Sequence, residues 1–141
     1  MPARILVIED NPTNMELMAY LLKAYGHEAL RARDGREGIE MACRVLPDLI
    51  ICDVHLPQLD GYGVVRFLKN HAALREVPVV AVTALAMVGD EEKLLRSGFD
   101  GYLSKPIDPE SFVPMIERFL RKDHGPAGER PGNAAAQVGE E

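Results

Sequence analysis

Leu49-Ile50-Ile51-Cys52-Asp53 is a run of four apolar residues closed by a carboxylate. Nothing in it alternates, so neither face of a strand built from it would be polar. A short run of this kind suits a strand covered by helices on both sides, as in a parallel sheet. Two further runs have the same character, Ile5-Leu6-Val7-Ile8 upstream and Val79-Val80-Ala81-Val82 downstream. Glu28–Arg33 and Gly101–Ser104 are weaker strand candidates.

Helical periodicity fills the gaps. Met15, Met18, Ala19, Leu22 and Tyr25 recur at helical spacing, as do Ile39, Ala42, Cys43 and Leu46. Val64, Val65 and Leu68 give a shorter stripe, Leu94 and Leu95 mark a fourth helix within Met87–Arg96, and Phe112, Met115, Ile116, Phe119 and Leu120 give the clearest one. The punctuation agrees: Pro12 can open the first helix, Gly26 can close it, Gly98 can close the fourth, and Pro78 can open the fourth strand. Five strands alternating with five helices imply an α/β domain, a mostly parallel sheet wound with helices on both faces.

The size agrees with one domain, 141 residues of which 47% are hydrophobic and 27% charged. Sixteen Lys and Arg against 22 Asp and Glu leave a net charge of -6, which disfavours direct nucleic-acid binding. Two cysteines exclude a disulfide scaffold, and Cys43 and Cys52, both in apolar runs, are expected as buried, reduced thiols. The N-terminus lacks the pattern of a signal peptide and no run has the length of a membrane span, so a cytoplasmic protein is expected. Residues 123–141 carry four acids, one Arg, four Gly and two Pro with a single Val; they are expected as a disordered acidic tail on a folded domain of residues 1–122.

In such a sheet the chemistry lies beyond the carboxyl ends of the strands. The first strand ends in Glu9-Asp10, the third in Asp53, the fourth in Thr83-Ala84 and the fifth in Lys105-Pro106. Taken singly these are ordinary: Asp10 could cap a helix, Asp53 could be a loop acid, Thr83 could bond locally, and Lys105 could be a surface charge. Together they form a set that chance places rarely at four strand ends. Converging carboxylates repel, and a hard divalent cation resolves that; Mg²⁺ takes a few carboxylates plus water and phosphoryl oxygen. A hydroxyl and an ammonium nearby suit the remaining phosphoryl oxygens. No glycine-rich nucleotide loop, zinc motif or nucleophile elbow is present to suggest other chemistry.

Glu9-Asp10-Asn11, Asp53 followed by Val54-His55-Leu56-Pro57 and Asp60-Gly61, Val82-Thr83-Ala84, and Lys105-Pro106 together resemble the receiver domain of bacterial two-component response regulators. The resemblance spans about residues 3–122. The stretches Val82–Glu92 and Tyr102–Ile107 look most like the single-domain DivK type. It implies a flavodoxin-like sheet with strand order 2-1-3-4-5.

By that resemblance Asp53 is the phosphoacceptor. Glu9, Asp10 and Asp53, with the backbone carbonyl of His55, hold Mg²⁺. Thr83, Ala84 and Lys105 form the phosphoryl-binding set, Thr83 and Tyr102 are the switch pair, and the Lys105–Pro106 peptide is cis. The implied partners are a histidine kinase, a kinase-phosphatase or a histidine phosphotransfer protein, with the chain a monomer or weak dimer that signals through protein contacts. Catalysis would be limited to the chain's own phosphorylation and dephosphorylation. The His55 imidazole could position water near a phosphoryl group or point to solvent. Two alternatives are a docking module that works without phosphorylation and a Mg²⁺-dependent phosphohydrolase with an Asp nucleophile. The second expects an acid two residues after the nucleophile, where this chain has His55; Asp60 is the next acid and stands where it can cap the third helix.

Overall fold

The computed structural model describes residues 2–84 and 89–124, with side chains described to residue 120. The elements are β1 (Arg4–Ile8), α1 (Pro12–Ala24), β2 (Glu28–Ala32), α2 (Gly35–Val45), β3 (Leu49–Asp53), α3 (Gly61–Lys69), β4 (Val79–Thr83), α4 (Asp90–Arg96), β5 (Gly101–Ser104) and α5 (Phe112–His124). The strands form one parallel sheet in the order β2-β1-β3-β4-β5. The expected tail begins at residue 123, but α5 continues through Asp123 and His124; the rest of that tail, 125–141, and residues 87–88 of the expected fourth helix lie outside the described residues.

The uninterrupted apolar runs are explained by what covers them. Side chains alternate across a strand. Ile5, Val7, Ile51, Val80 and Val82 therefore pack on one face against Met18 and Leu22 of α1 and Phe112 and Ile116 of α5. Leu6, Ile8, Ile50, Cys52 and Ala81 pack on the other face against Ala42 of α2, Val64 and Leu68 of α3 and Leu94 of α4. β1, β3 and β4 are buried on both sides. β2 stands at the sheet edge and keeps Glu28 and Arg31 exposed, which is why its pattern reads weakly. No helix among the described residues is long and apolar enough to cross a membrane.

Two expectations change. Tyr25 does not extend the α1 stripe; it is the C-cap residue, exposed, with Gly26 next at φ +90. In α2 the buried positions are Gly35, Gly38 and Ala42, so Cys43 and Leu46 face outward. Of the two cysteines only Cys52 is buried. The reason is steric: a Cβ on Gly38 would fall 2.4 Å from Ile8 Cδ1, so the Gly38 edge of α2 lies closest to the sheet, with Ile39 and Met41 packing partly buried beside it.

Candidate functional site

The parallel register carries four strand ends to one side of the sheet. Ile8 stands opposite Cys52, Asp53 opposite Val82, and Thr83 opposite Ser104. Glu9, Asp53, Thr83 and Lys105 therefore lie at or one step beyond the same edge. Lys105 N–H donates to the Thr83 carbonyl at 2.8 Å, which fixes the start of the β5–α5 loop.

Glu9 and Asp53 are 1% and 3% exposed, and Asp10 is exposed. One carboxylate oxygen from each of the three can be chosen so that all lie within 4.8 Å of one another. Asp10 is free of the capping role because Asn11 takes it: the Asn11 side-chain oxygen accepts from Asn14 N–H at 3.0 Å, with Pro12 opening α1. Asn11 N–H in turn donates to Glu9 Oε2 at 3.1 Å. Asp53 is held from both sides. Its Oδ1 accepts from His55 N–H at 2.9 Å and its Oδ2 accepts from Lys105 Nζ at 3.0 Å. The Lys105–Pro106 peptide is cis.

Among the described residues Glu9 Oε1, which is buried, has no hydrogen-bond partner; Lys105 Nζ lies 3.6 Å away. Burial, joined by the charge of Asp53 and opposed by the Asn11 N–H, pushes the Glu9 carboxyl up to about 7. Burial works against the Lys105 ammonium, but its bond to Asp53 and the charges of Glu9 and Asp53 outweigh it and its pKa is raised. The single ammonium thus leaves one buried carboxylate oxygen unsatisfied among three acids. This donor set fits a hard cation with oxygen preference, because carboxylates and water are its ordinary ligands.

The remaining expected residues are placed less uniformly. Thr83 is buried at the end of β4 and Ala84 is exposed just after it. The His55 side chain is exposed, so it is the His55 backbone that reaches Asp53. Tyr102 is half-buried against the second core face, and its hydroxyl donates to Glu91 Oε1 of α4 at 3.4 Å. Asp60 caps α3, its Oδ1 accepting from Gly63 N–H at 3.0 Å, as its place just before Gly61 predicts. Sequence reasoning missed two contributors. Asn11 anchors Glu9, and its pairing with Pro12 is a visible helix-start signal. Gly61 lets α3 begin against the Asp53 backbone: a Cβ there would lie 2.7 Å from the Asp53 carbonyl oxygen and from Val54 Cα.

A buried aspartate at the end of β3, two acids after β1, and a lysine after β5 paired with that aspartate define an acidic site with one ammonium as counter-charge. The chain belongs to the response regulator receiver domain family, whose model matches residues 5–117. It is 42% identical over 120 residues to the polar-differentiation response regulator DivK of Brucella anthropi, covering 85% of this chain and 98% of that one. The DivK proteins of Brucella ovis and Brucella suis match equally, at 42%. Among solved structures, a putative response regulator from Chloroflexus aurantiacus superposes with a TM-score of 0.81 at 30% identity, covering 86% of this chain and 99% of that one. The receiver domain of a sensor histidine kinase from Pseudomonas aeruginosa, solved with a magnesium ion coordinated in its active site cleft, does so at 0.79 and 33%, covering 86% and 99%.

Proposed function

We propose that this chain is a phosphorylation-driven switch: Asp53 accepts a phosphoryl group from the phosphohistidine of a kinase or phosphotransfer partner, and the modified chain changes its protein contacts. The observation that carries the reading is the Asp53 carboxylate, buried, bonded at one oxygen by His55 N–H and at the other by Lys105 Nζ, inside a trio of acids.

A carboxylate oxygen of Asp53 attacks phosphorus, the P–N bond to the donor imidazole breaks, and an acyl phosphate forms. Such transfers need positioning and charge neutralisation more than bond-making help. Mg²⁺, held by Glu9, Asp10 and Asp53 with the His55 carbonyl, would supply the larger part of that neutralisation. The chain's own share is Lys105, which already pairs with Asp53 and would follow the charge onto a phosphoryl oxygen. The Thr83 hydroxyl would bond another, and Ala84 leaves the approach open. Asp53 is held in a fixed direction by His55 N–H, which lowers the cost of reaching an attacking geometry. Water later returns the carboxylate and releases phosphate.

The output follows from the new charge. Phosphorylation adds strong acceptors beside Thr83. Movement of Thr83 toward them would open space for Tyr102, whose present hydroxyl partner is Glu91 on α4. Loss of that bond would change the surface made by α4, β5 and α5. The relatives named for polar differentiation support cell-cycle or polarity control as the process served; in this reading the chain acts in the cytoplasm through protein partners.

Intact mass after incubation with a small phosphodonor tests the reading. A gain of about 80 Da, one phosphoryl group, is expected in the presence of Mg²⁺, and neither without it nor in Asp53→Asn. An adduct that persists in Asp53→Asn, or the absence of both adduct and released phosphate from wild type, would overturn it in favour of a docking domain that needs no phosphorylation.

A further inference from the structure

Glu9, Asp53 and Thr83 belong to the site; one other polar side chain is buried among the described residues, His27, at the start of β2. Its ring is 3% exposed and is bonded at both nitrogens. Nδ1 accepts from Ala3 N–H at 3.1 Å, just before β1. Nε2 stands 2.8 Å from Glu117 Oε2 on α5. An N–H can only donate, so the Ala3 contact requires a bare Nδ1, and the ring then carries its proton on Nε2 and donates to Glu117. The backbone around it is fixed as well: His27 N–H donates to the Leu22 carbonyl at the end of α1, and Glu28 N–H donates to the Ala3 carbonyl. One neutral imidazole therefore ties the end of α1, the start of β1 and the middle of α5.

We infer that His27 is an acid-sensitive latch for α5, closed when the ring is neutral and opened when Nδ1 takes a proton from water. That proton turns the acceptor into a donor aimed at Ala3 N–H. Two donors then face each other in a buried place, and a buried donor without a partner is costly. Either the ring turns away or the Ala3 segment shifts, and the packing of α5 on the sheet changes with it. Glu117 acts in the opposite sense, since its carboxylate favours the charged ring. The other charged residues on these elements are Glu16 and Lys23 on α1, Arg4 on β1, Glu28 and Arg31 on β2, and Arg118, Arg121, Lys122 and Asp123 on α5. Lys23 and Glu28 are exposed. The Arg4 guanidinium bonds the Val45 carbonyl and its N–H bonds Asp48, so Arg4 is engaged with the α2–β3 connection. Glu117 is the charged group bonded to the ring. The inference is independent of phosphorylation at Asp53; His27 lies on the other end of the strands.

The test is NMR of imidazole nitrogens in the labelled full chain between about pH 8 and about pH 5, with amide-exchange protection at Ala3 and around Glu117 corrected for intrinsic exchange. At the alkaline end Nε2 should carry the proton and Nδ1 should not. On acidification the Ala3 and α5 protection should fall about tenfold or more, with the same midpoint as Nδ1 protonation. Glu117→Gln should move that midpoint to lower pH by removing the charge that favours the cation. His27→Asn keeps an acceptor near the Nδ1 position and cannot titrate; its Ala3 protection should show no step. A ring protonated on Nδ1 at the alkaline end, or Nδ1 protonation with no change in Ala3 and α5 protection, would overturn the latch.

Discussion

Lys105 Nζ lies 3.0 Å from Asp53 Oδ2 although 52 residues separate them in the chain, and it is 3.6 Å from Glu9 Oε1 as well. One ammonium, 21% exposed, is thus the counter-charge for two buried carboxylates. Replacing it with Met keeps the apolar stem and removes the charge. Lys105→Met should lower the stability of the cation-free protein by about 3 kcal/mol, because removing one partner leaves uncompensated buried charge. Mg²⁺ should then stabilise the variant more than it stabilises wild type. Thermal unfolding of both proteins with chelator and with Mg²⁺ decides it; equal responses would mean that Lys105 does not balance these acids.

Glu9 makes the cation-free protein sensitive to pH. Its carboxyl is raised from 4.5 to about 7 by burial and by Asp53, so the fold prefers it protonated. A raised folded pKa gives a contribution that is full below about 4.5 and is lost as pH rises through about 7. The difference corresponds to about 3 kcal/mol. In chelator, wild type should lose about that much relative to Glu9→Gln between pH 4.5 and a pH above 7. Added Mg²⁺ should reverse the loss on the alkaline side, since it binds the folded carboxylate. Parallel urea-unfolding profiles for the two proteins would refute the assignment.

The strand ends were legible because each is a polar residue stopping an apolar run, and a parallel sheet brings such ends to one side. β1, β3 and β4 read clearly for the same reason, both faces being covered. What hid was information carried by missing atoms. The buried side of α2 is set by Gly35 and Gly38, whose lack of a Cβ admits Leu59 and Ile8, so a hydrophobic stripe through Cys43 and Leu46 pointed the wrong way. His27 gave no local signal either; its partner Glu117 is 90 residues distant. Tyr25 continued the spacing of α1 beyond the point where Gly26 turns the chain.

Gly61 offers a test of how tightly the loop after Asp53 is held. Its N–H donates to the Val54 carbonyl at 2.9 Å, and a Cβ would sit 2.7 Å from the Asp53 carbonyl oxygen. Both neighbours are backbone, so neither can rotate aside. Gly61→Ala should cost about 1–3 kcal/mol as an overpacked contact. It should also slow phosphoryl uptake by about tenfold or more, because small displacements of a reacting group have large rate effects. Urea unfolding and the rate of mass gain from a small phosphodonor measure the two separately. A variant with wild-type stability and uptake would show that the loop yields without moving Asp53.

The two thiols should report on surface and core in one experiment. Cys43 faces outward on α2, while Cys52 is fully buried beside Asp53, donating to its own neighbour's carbonyl at 3.4 Å. Burial pushes the Cys52 thiol up, and the charges of Asp53 and Glu9 add to the shift. Since the thiolate is the reactive form, Cys52 is protected twice, by access and by protonation. Native protein treated with an alkylating reagent at mild alkaline pH should gain one label, and peptide mapping should place it on Cys43. The second label should appear only as the protein unfolds, with a rate that follows denaturant. Labelling of Cys52 in the native state at a rate independent of denaturant would mean that the floor of the Asp53 site opens locally, and the rigid clamp inferred from the His55 and Lys105 bonds would have to be given up.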